Sequence, residues 1–322
     1  VLPLDDDATD AIREAIWRET LQRYEFARNM YDQAKTRATV SVEDEDKAPC
    51  FSDAPMVRYY EAPLAAGRQK MDIKRAWEQR LNEVSAVFKT CPELSEGSAS
   101  FSFQILRTYF VNSEGSLVVQ NRVATRVMLM ASLKAADGME LPLNRDYFAY
   151  TPDDLPDNDR MIADARDMIK RLLALRDAPV ADPYTGPAIL SGPASGVFFH
   201  EIFGHRLEGH RLKSGGQTFK KMVGEQVLPV EFQVYCAPLL KRYADTDLYG
   251  HYVYDDEGVK ARRVDNVVNG VLKEFLMSRV PLDGFPSSNG HGRTSGGGDP
   301  VSRQSNLIIE TSHPYTEDEL RA

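Results

Sequence analysis

The run HEIFGHRLEGHRL, residues 200–212, holds three of the chain's six histidines and two carboxylates between His200 and His210. Its core is His200-Glu201-x-x-x-His205. Two imidazoles can hold a borderline-soft divalent cation, and a carboxylate beside them can serve as the base of a hydrolysis. The familiar zinc-peptidase pattern H-E-x-x-H sets its histidines four apart, about 40° around a helix, so that both reach one ion. Here they are five apart, about 140° around a regular helix. Three arrangements follow from the spacing. A π-bulge or local unwinding at Phe203-Gly204 returns His205 to the face of His200. A regular helix instead aligns Glu201, His205 and Glu208, a carboxylate-rich set suited to a harder metal. An exposed polar face with i,i+4 pairing carries no metal. His210 reads as a bystander or a group that supports a ligand from behind.

The elements that must position this run are legible in part. Small residues precede it, and Val197 to Leu212 reads as one helix ended by the glycines at 215–216. Upstream, Ile12, Ile16, Leu21, Tyr24 and Tyr31 mark a helix over 10–35, and residues 41–71 lose periodicity. Asp72 caps a second helix with the stripe Ile73, Trp77, Leu81, Val84 and Phe88. Strict alternation in SFSFQI (100–105) puts Phe101, Phe103 and Ile105 on one face. Turns at 112–116 and 136–138 then divide three antiparallel strands. A third helix covers 158–176, with Met161, Ala165, Met168 and Leu172 inward. The four prolines of 176–196 break the chain, and short β-branched runs follow the histidines. Asn269-Gly270 marks a tight hairpin. The fold class is α+β. An N-terminal α/β domain (1–180), an antiparallel sheet with covering helices, precedes a β-rich C-terminal domain (181–322) that carries the histidine helix.

Composition bounds the function. The 322 residues carry a net charge of −9, with 42% hydrophobic and 27% charged residues. There is no clustered Lys/Arg block for a phosphate backbone and no apolar run near the roughly 20 residues a membrane helix needs. Neither nucleic acid nor membrane is expected as a partner. The expectation is a soluble protein, cytoplasmic favoured, with export left open because the chain begins at Val1. Cys50, Cys91 and Cys236 form no metal or disulfide pattern and are expected to be buried or inert thiols. SNGHGRTSGGGDP (288–300) is no phosphate-binding motif and reads as a flexible loop near the cleft.

HEIFGHRLEGH resembles the HExxxH signature of the TldD/PmbA metallopeptidases, a family once described as modulators of DNA gyrase. The likeness continues in order through VGEQV (223–227), YDDEG (254–258), NGVLKEFLMSR (269–279), SNGHGR (288–293) and SRQSN (302–306), and more loosely through YFVNSEGS (109–116). The resemblance implies a zinc-dependent peptidase that hydrolyses unfolded peptides or small proteins. His200 and His205 would be metal ligands, and Glu201 would activate a metal-bound water. Glu208 would hold a supporting position. It further implies a homodimer, or a heterodimer with a paralogue, around a cleft in which extended peptides lie. The family's third zinc ligand is a cysteine in a glycine-rich segment near the C-terminus. No cysteine here has that setting, so the third ligand is expected beyond Ala322 and the catalytic domain is read as truncated. The competing readings are a non-catalytic partner subunit or peptide-binding module of the same family, and a gyrase-associated binding protein.

Overall fold

The computed structural model describes residues 8–38, 47–64, 69–213, 218–295 and 298–322. The chain divides into two compact units, Val1–Lys47 and Ala48–Ala322. The first contains helix α1 (Thr9–Ala38). The second contains every element named below.

In chain order, that unit begins with β1 (Arg58–Tyr60), α2 (Gln69–Ala86), β2 (Leu94–Val111), β3 (Leu117–Lys134), β4 (Glu140–Ala149) and α3 (Asn158–Asp177). β3 is the spine of the sheet. It pairs antiparallel with β2 along its whole length, and on its other edge with β4 antiparallel and β1 parallel. The alternating sequence explains this layer, since it gives one apolar face and one polar face. Val127, Leu129 and Leu133 are buried against Trp77, Val84 and Phe88 of the second helical segment and Met161, Ala165, Met168 and Leu172 of α3. Trp77 stacks flat on Phe101 at 4.4 Å. Asp157 caps α3 by accepting the Arg160 N–H. Two expectations need correction. α2 begins at Gln69, so Asp72 lies in its first turn, where a carboxylate favours the positive end of the dipole, and does not cap it. The aperiodic stretch 41–71 contains β1, whose three residues are too few to show a period; residues 41–46 lie outside those described.

The remaining elements are α4 (Gly192–Phe198), α5 (His210–Lys213), β5 (Phe232–Cys236), β6 (Arg242–Tyr243), β7 (Thr246–Asp247), β8 (Val264–Val268), β9 (Val271–Leu272), β10 (Gly292–Arg293), β11 (Val301–Ser302), β12 (Leu307–Thr311) and α6 (Glu317–Arg321). β12, β5, β8 and β9 form an antiparallel sheet in that order. Asn269 and Gly270, both at positive φ, make the hairpin from β8 to β9. This sheet's core joins Val234, Cys236, Val264, Val267 and Leu272 to Phe275, Leu276 and Met277, and receives Phe203 and Leu207 from the histidine run.

The two cores are tied together where the site lies. Gln120 of β3 donates to the Tyr254 carbonyl at 2.9 Å and accepts the Tyr254 N–H at 3.2 Å. Tyr150 donates to the Leu248 carbonyl, and Phe148 meets Tyr249 edge to face. The buried Arg279 guanidinium forks onto Glu114 and donates twice to the Ser52 carbonyl. Among the described residues no helix is long and apolar enough to cross a membrane.

Candidate metal centre and cleft

The histidine run is not one helix. α4 passes at Phe199 into a π-helical turn, Phe199–Phe203, and then into a 3₁₀ turn, Gly204–Leu207. The Gly204 N–H is shared between the carbonyls of Phe199, five residues back, and His200, four back. This wide turn is what the five-residue spacing needs. The His200 and His205 rings come to 4.7 Å between centroids. One donor atom from each of His200, Glu201 and His205 lies within 4.8 Å of the others. Glu201 is 3.8 Å from His200 Nε2 through one oxygen and 3.6 Å from His205 Nε2 through the other. Ligand atoms sharing a tetrahedral zinc at about 2.0–2.1 Å stand roughly 3.3–3.5 Å apart, so small side-chain rotations suffice and the donor set fits a divalent cation.

The run ends earlier than the expected Leu212, for a packing reason. Leu207 and Gly209 straddle a parallel bridge between Glu208 and Leu276. The Leu276 N–H donates to the Leu207 carbonyl at 2.8 Å, and the Gly209 N–H to the Leu276 carbonyl at 2.9 Å. A Cβ at 209 would press on Met277 Sδ and the Leu276 carbonyl. The bridge makes Glu208 extended and buries it to 1% exposure. Its carboxylate faces His205 Nδ1 at 3.1 Å and accepts from Arg211 Nε at 2.6 Å. The structure therefore brings His200, Glu201, His205 and Glu208 together. His210, on α5, stays outside the donor group, and burial lowers its pKa. The glycines at 215–216 lie outside the described residues.

His200, His205 and Glu208 open into a cleft of about 440 Å³ that is also lined by Arg122, Tyr249, Tyr252, Arg293, Arg303, Gln304 and Ser305.

Residues 183–322 match the family model described as the PmbA/TldA metallopeptidase C-terminal domain. Over that segment, under half of its length, the chain is similar to the TldD/PmbA metallopeptidases. A protein of Archaeoglobus fulgidus named a metalloprotease is 34% identical over 132 residues, 41% of this chain and 29% of that protein. A Saccharolobus solfataricus protein named a zinc metalloprotease TldD homologue is 24% identical over 218 residues, 65% of this chain and 46% of its own length. The chain thus spans less than half of either curated relative. A solved Thermotoga maritima structure, described as a candidate modulator of DNA gyrase, shares the fold with a TM-score of 0.59 at 18% identity, covering 90% of this chain and 62% of that one.

The TldD/PmbA motifs downstream of the histidines acquire positions. SNGHGR is no surface loop at its centre: Asn289 and His291 are buried, with His291 fully enclosed; residues 296–297, within the glycine run that follows, lie outside those described. Asn289 Oδ1 accepts the Met277 N–H while its Nδ2 donates to the Phe275 carbonyl, so the oxygen faces His291 Nδ1 at 3.1 Å. His291 therefore carries its hydrogen on Nδ1 and offers Nε2 to the Ser305 hydroxyl at 3.3 Å. Burial pushes its pKa down to about 4, which keeps the ring neutral. Gln304, from SRQSN, donates to the His200 carbonyl at 3.3 Å and packs where a Cβ at Gly204 would stand. Asp255, from YDDEG, is enclosed with three backbone N–H donors, from Glu257, Val259 and Gly292, yet burial raises its pKa to about 7. None of these roles has a periodic signature in the sequence; the motif order alone pointed to the segments. Cys50, expected to be buried or inert, is exposed. Cys236 lies in β5, fully buried, and loss of solvation pushes its thiol up to about 12.

Proposed function

We propose that this chain is a zinc-dependent peptidase in which His200 and His205 hold the metal and Glu201 is the general base. The reading rests on one observation, the π-turn that gathers two imidazoles and a carboxylate, with both imidazoles lining a cleft. Two imidazole nitrogen donors suit zinc better than magnesium or calcium. Such an ion, when bound, would polarise a scissile carbonyl and acidify water at neutral pH. The chain's own groups do the rest. Glu201, with its side chain 60% exposed, reaches the space beside both rings and holds the proton taken from the attacking water. Glu208, 3.1 Å from His205 Nδ1 and beside the Arg211 Nη2 that lies 3.2 Å from the same nitrogen, is placed to accept an Nδ1–H when Nε2 serves the metal. The Ser305 hydroxyl, its hydrogen directed to His291, presents oxygen lone pairs for an N–H of an extended peptide.

Glu201→Gln is the direct test. Metal content, measured by elemental analysis, should be retained, while cleavage of an unfolded peptide should fall by about 100-fold or more. A metal-replete variant that cleaves as fast as the unaltered protein removes Glu201 from the chemistry.

A further inference from the structure

Three arginines from three separate segments converge on the cleft that holds His200 and His205. Arg122 comes from β3, Arg293 from β10, and Arg303 from the segment just after β11. Two of them lie over tyrosine rings. The Arg122 guanidinium lies 4.1 Å over Tyr249 and donates to the Tyr249 carbonyl, and that of Arg293 lies 4.2 Å over Tyr252. Arg303 is anchored by its backbone N–H to the His291 carbonyl at 2.9 Å, and its Nε is closed off from solvent without an acceptor.

Their charges are poorly answered. Arg293 has Asp256 at 3.4 Å. Arg122 and Arg303 have no carboxylate partner among the described residues. Glu208, the one acidic residue of the lining, is already engaged by Arg211 and His205. This is not a shortage of acids, because the chain carries 48 Asp and Glu against 39 Lys and Arg. In an acidic protein, three cations gathered in one concave site, two of them without a carboxylate partner among the described residues, create a local field for an anion. Planar guanidinium groups braced on aromatic rings match the fork geometry of a carboxylate.

We propose that Arg122, Arg293 and Arg303 form a subsite for a peptide carboxylate beside the His200–Glu201–His205 centre. The subsite makes acidic peptides the favoured ligands, through either an Asp/Glu side chain or the α-carboxylate. It rests on the peptidase reading for the identity of the ligand as a peptide.

Three labelled unstructured peptides test it on the protein itself, by fluorescence anisotropy. One has Gln and an amidated C-terminus, the second has Glu in place of that Gln, and the third has the Gln with a free C-terminus. At least one carboxylate peptide should bind about tenfold more tightly than the neutral one, an advantage that shrinks as salt is raised. Preference for the second assigns the site to a side chain, and preference for the third to the α-carboxylate. In Arg122→Gln and Arg303→Gln the ratio of carboxylate-peptide to neutral-peptide affinity should fall several-fold, with circular dichroism reporting that each variant is folded. Equal affinity for all three peptides, or no binding of any, overturns the subsite without recourse to variants. Discrimination that survives both substitutions overturns its assignment to these residues. Cleavage of the same peptides separates the two ideas. Carboxylate-selective binding without hydrolysis defeats the peptidase reading alone, and hydrolysis without selectivity defeats the subsite alone.

Discussion

Replacing Glu208 by Gln should weaken metal binding far more than it weakens the fold. Glu208 is 1% exposed, with Arg211 Nε at 2.6 Å from one oxygen and His205 Nδ1 at 3.1 Å from the other. When His205 uses Nε2 as a ligand, its hydrogen sits on Nδ1, and Glu208 at 3.1 Å is the acceptor that offsets the Arg211 Nη2 donor lying 3.2 Å from the same nitrogen. Glutamine keeps the volume but has one acceptor. Its carbonyl is drawn to Arg211, which turns the amide NH₂ toward Nδ1. That favours the tautomer with its hydrogen on Nε2 and removes the lone pair a metal needs.

Loss of such a supporting carboxylate typically weakens metal affinity 10- to 100-fold, which is about 1.4–2.7 kcal/mol. The fold loses less. The Arg211 side chain is 43% exposed and stays solvated, so the stability cost is on the order of 1 kcal/mol. A competitive zinc titration against a chromophoric chelator reads the first quantity, and thermal melting of the metal-free protein reads the second. A folded Glu208→Gln protein whose zinc affinity stays within twofold of the unaltered chain would refute the tautomer argument.

Two further outcomes concern burial. Asp255 has a folded pKa of about 7 against an ordinary 3.8, so the folded state holds its proton more tightly and the contribution to stability is present below about pH 4 and lost as pH rises through 7. Across that window the loss is about 4 kcal/mol at about 1.4 kcal/mol per pH unit. Stability–pH curves of the unaltered chain and Asp255→Asn should therefore converge or cross as pH rises, and parallel curves from pH 4 to 8 would contradict the assignment. Of the three thiols, exposed Cys50 should react with a disulfide reagent in the native protein, while buried Cys91 and Cys236, both raised by loss of solvation, should react only on unfolding. A count of three fast thiols without denaturant would rule this out.

The parts of the fold that were legible in the sequence are those in which one residue series faces one environment. Phe101, Phe103 and Ile105 alternate because the β2–β4 sheet has one covered face, and Met161, Ala165, Met168 and Leu172 repeat because α3 lies on it. The site was legible as a tension, with two histidines at a spacing that a regular helix sends apart and a glycine next to the second. A π-bulge at Phe203-Gly204 was among the arrangements the spacing allowed, and what could not be read was what holds it. That depends on partners far along the chain, Leu276 for the end of the run and Gln304 for its wide turn, and no local pattern encodes such contacts. The arginines of the cleft were hidden for the same reason, because Arg122 and Arg303 are 181 residues apart and meet only through the docking of β3 onto the Tyr249–Tyr254 segment. Asn289 and His291 misled in the opposite direction. Glycine-rich surroundings read as a flexible loop near the cleft, but at Gly290 the missing side chain lets the backbone run close against Lys260–Ala261.

The wide turn also explains why the histidine run and the SRQSN segment must be considered together. A π-turn is rare because it spreads its backbone partners, and here the Gly204 N–H is divided between two carbonyls. The His200 carbonyl gains a second donor from the Gln304 amide, which fits only because residue 204 lacks a side chain. On the far side, Leu207 and Gly209 are fixed to Leu276, so both flanks of the turn are held from outside the run. The convergence of His200 with His205 is thus a property of the second core. The same three residues that follow β11 supply the turn's brace in Gln304, a lining hydroxyl in Ser305 and an unanswered positive charge in Arg303. A shift of this segment by one residue would splay the histidines and dismantle the cationic wall at once. Metal affinity and carboxylate preference should therefore fail together in variants that unseat β11 or β12, and separately in variants confined to Glu208 or Arg122.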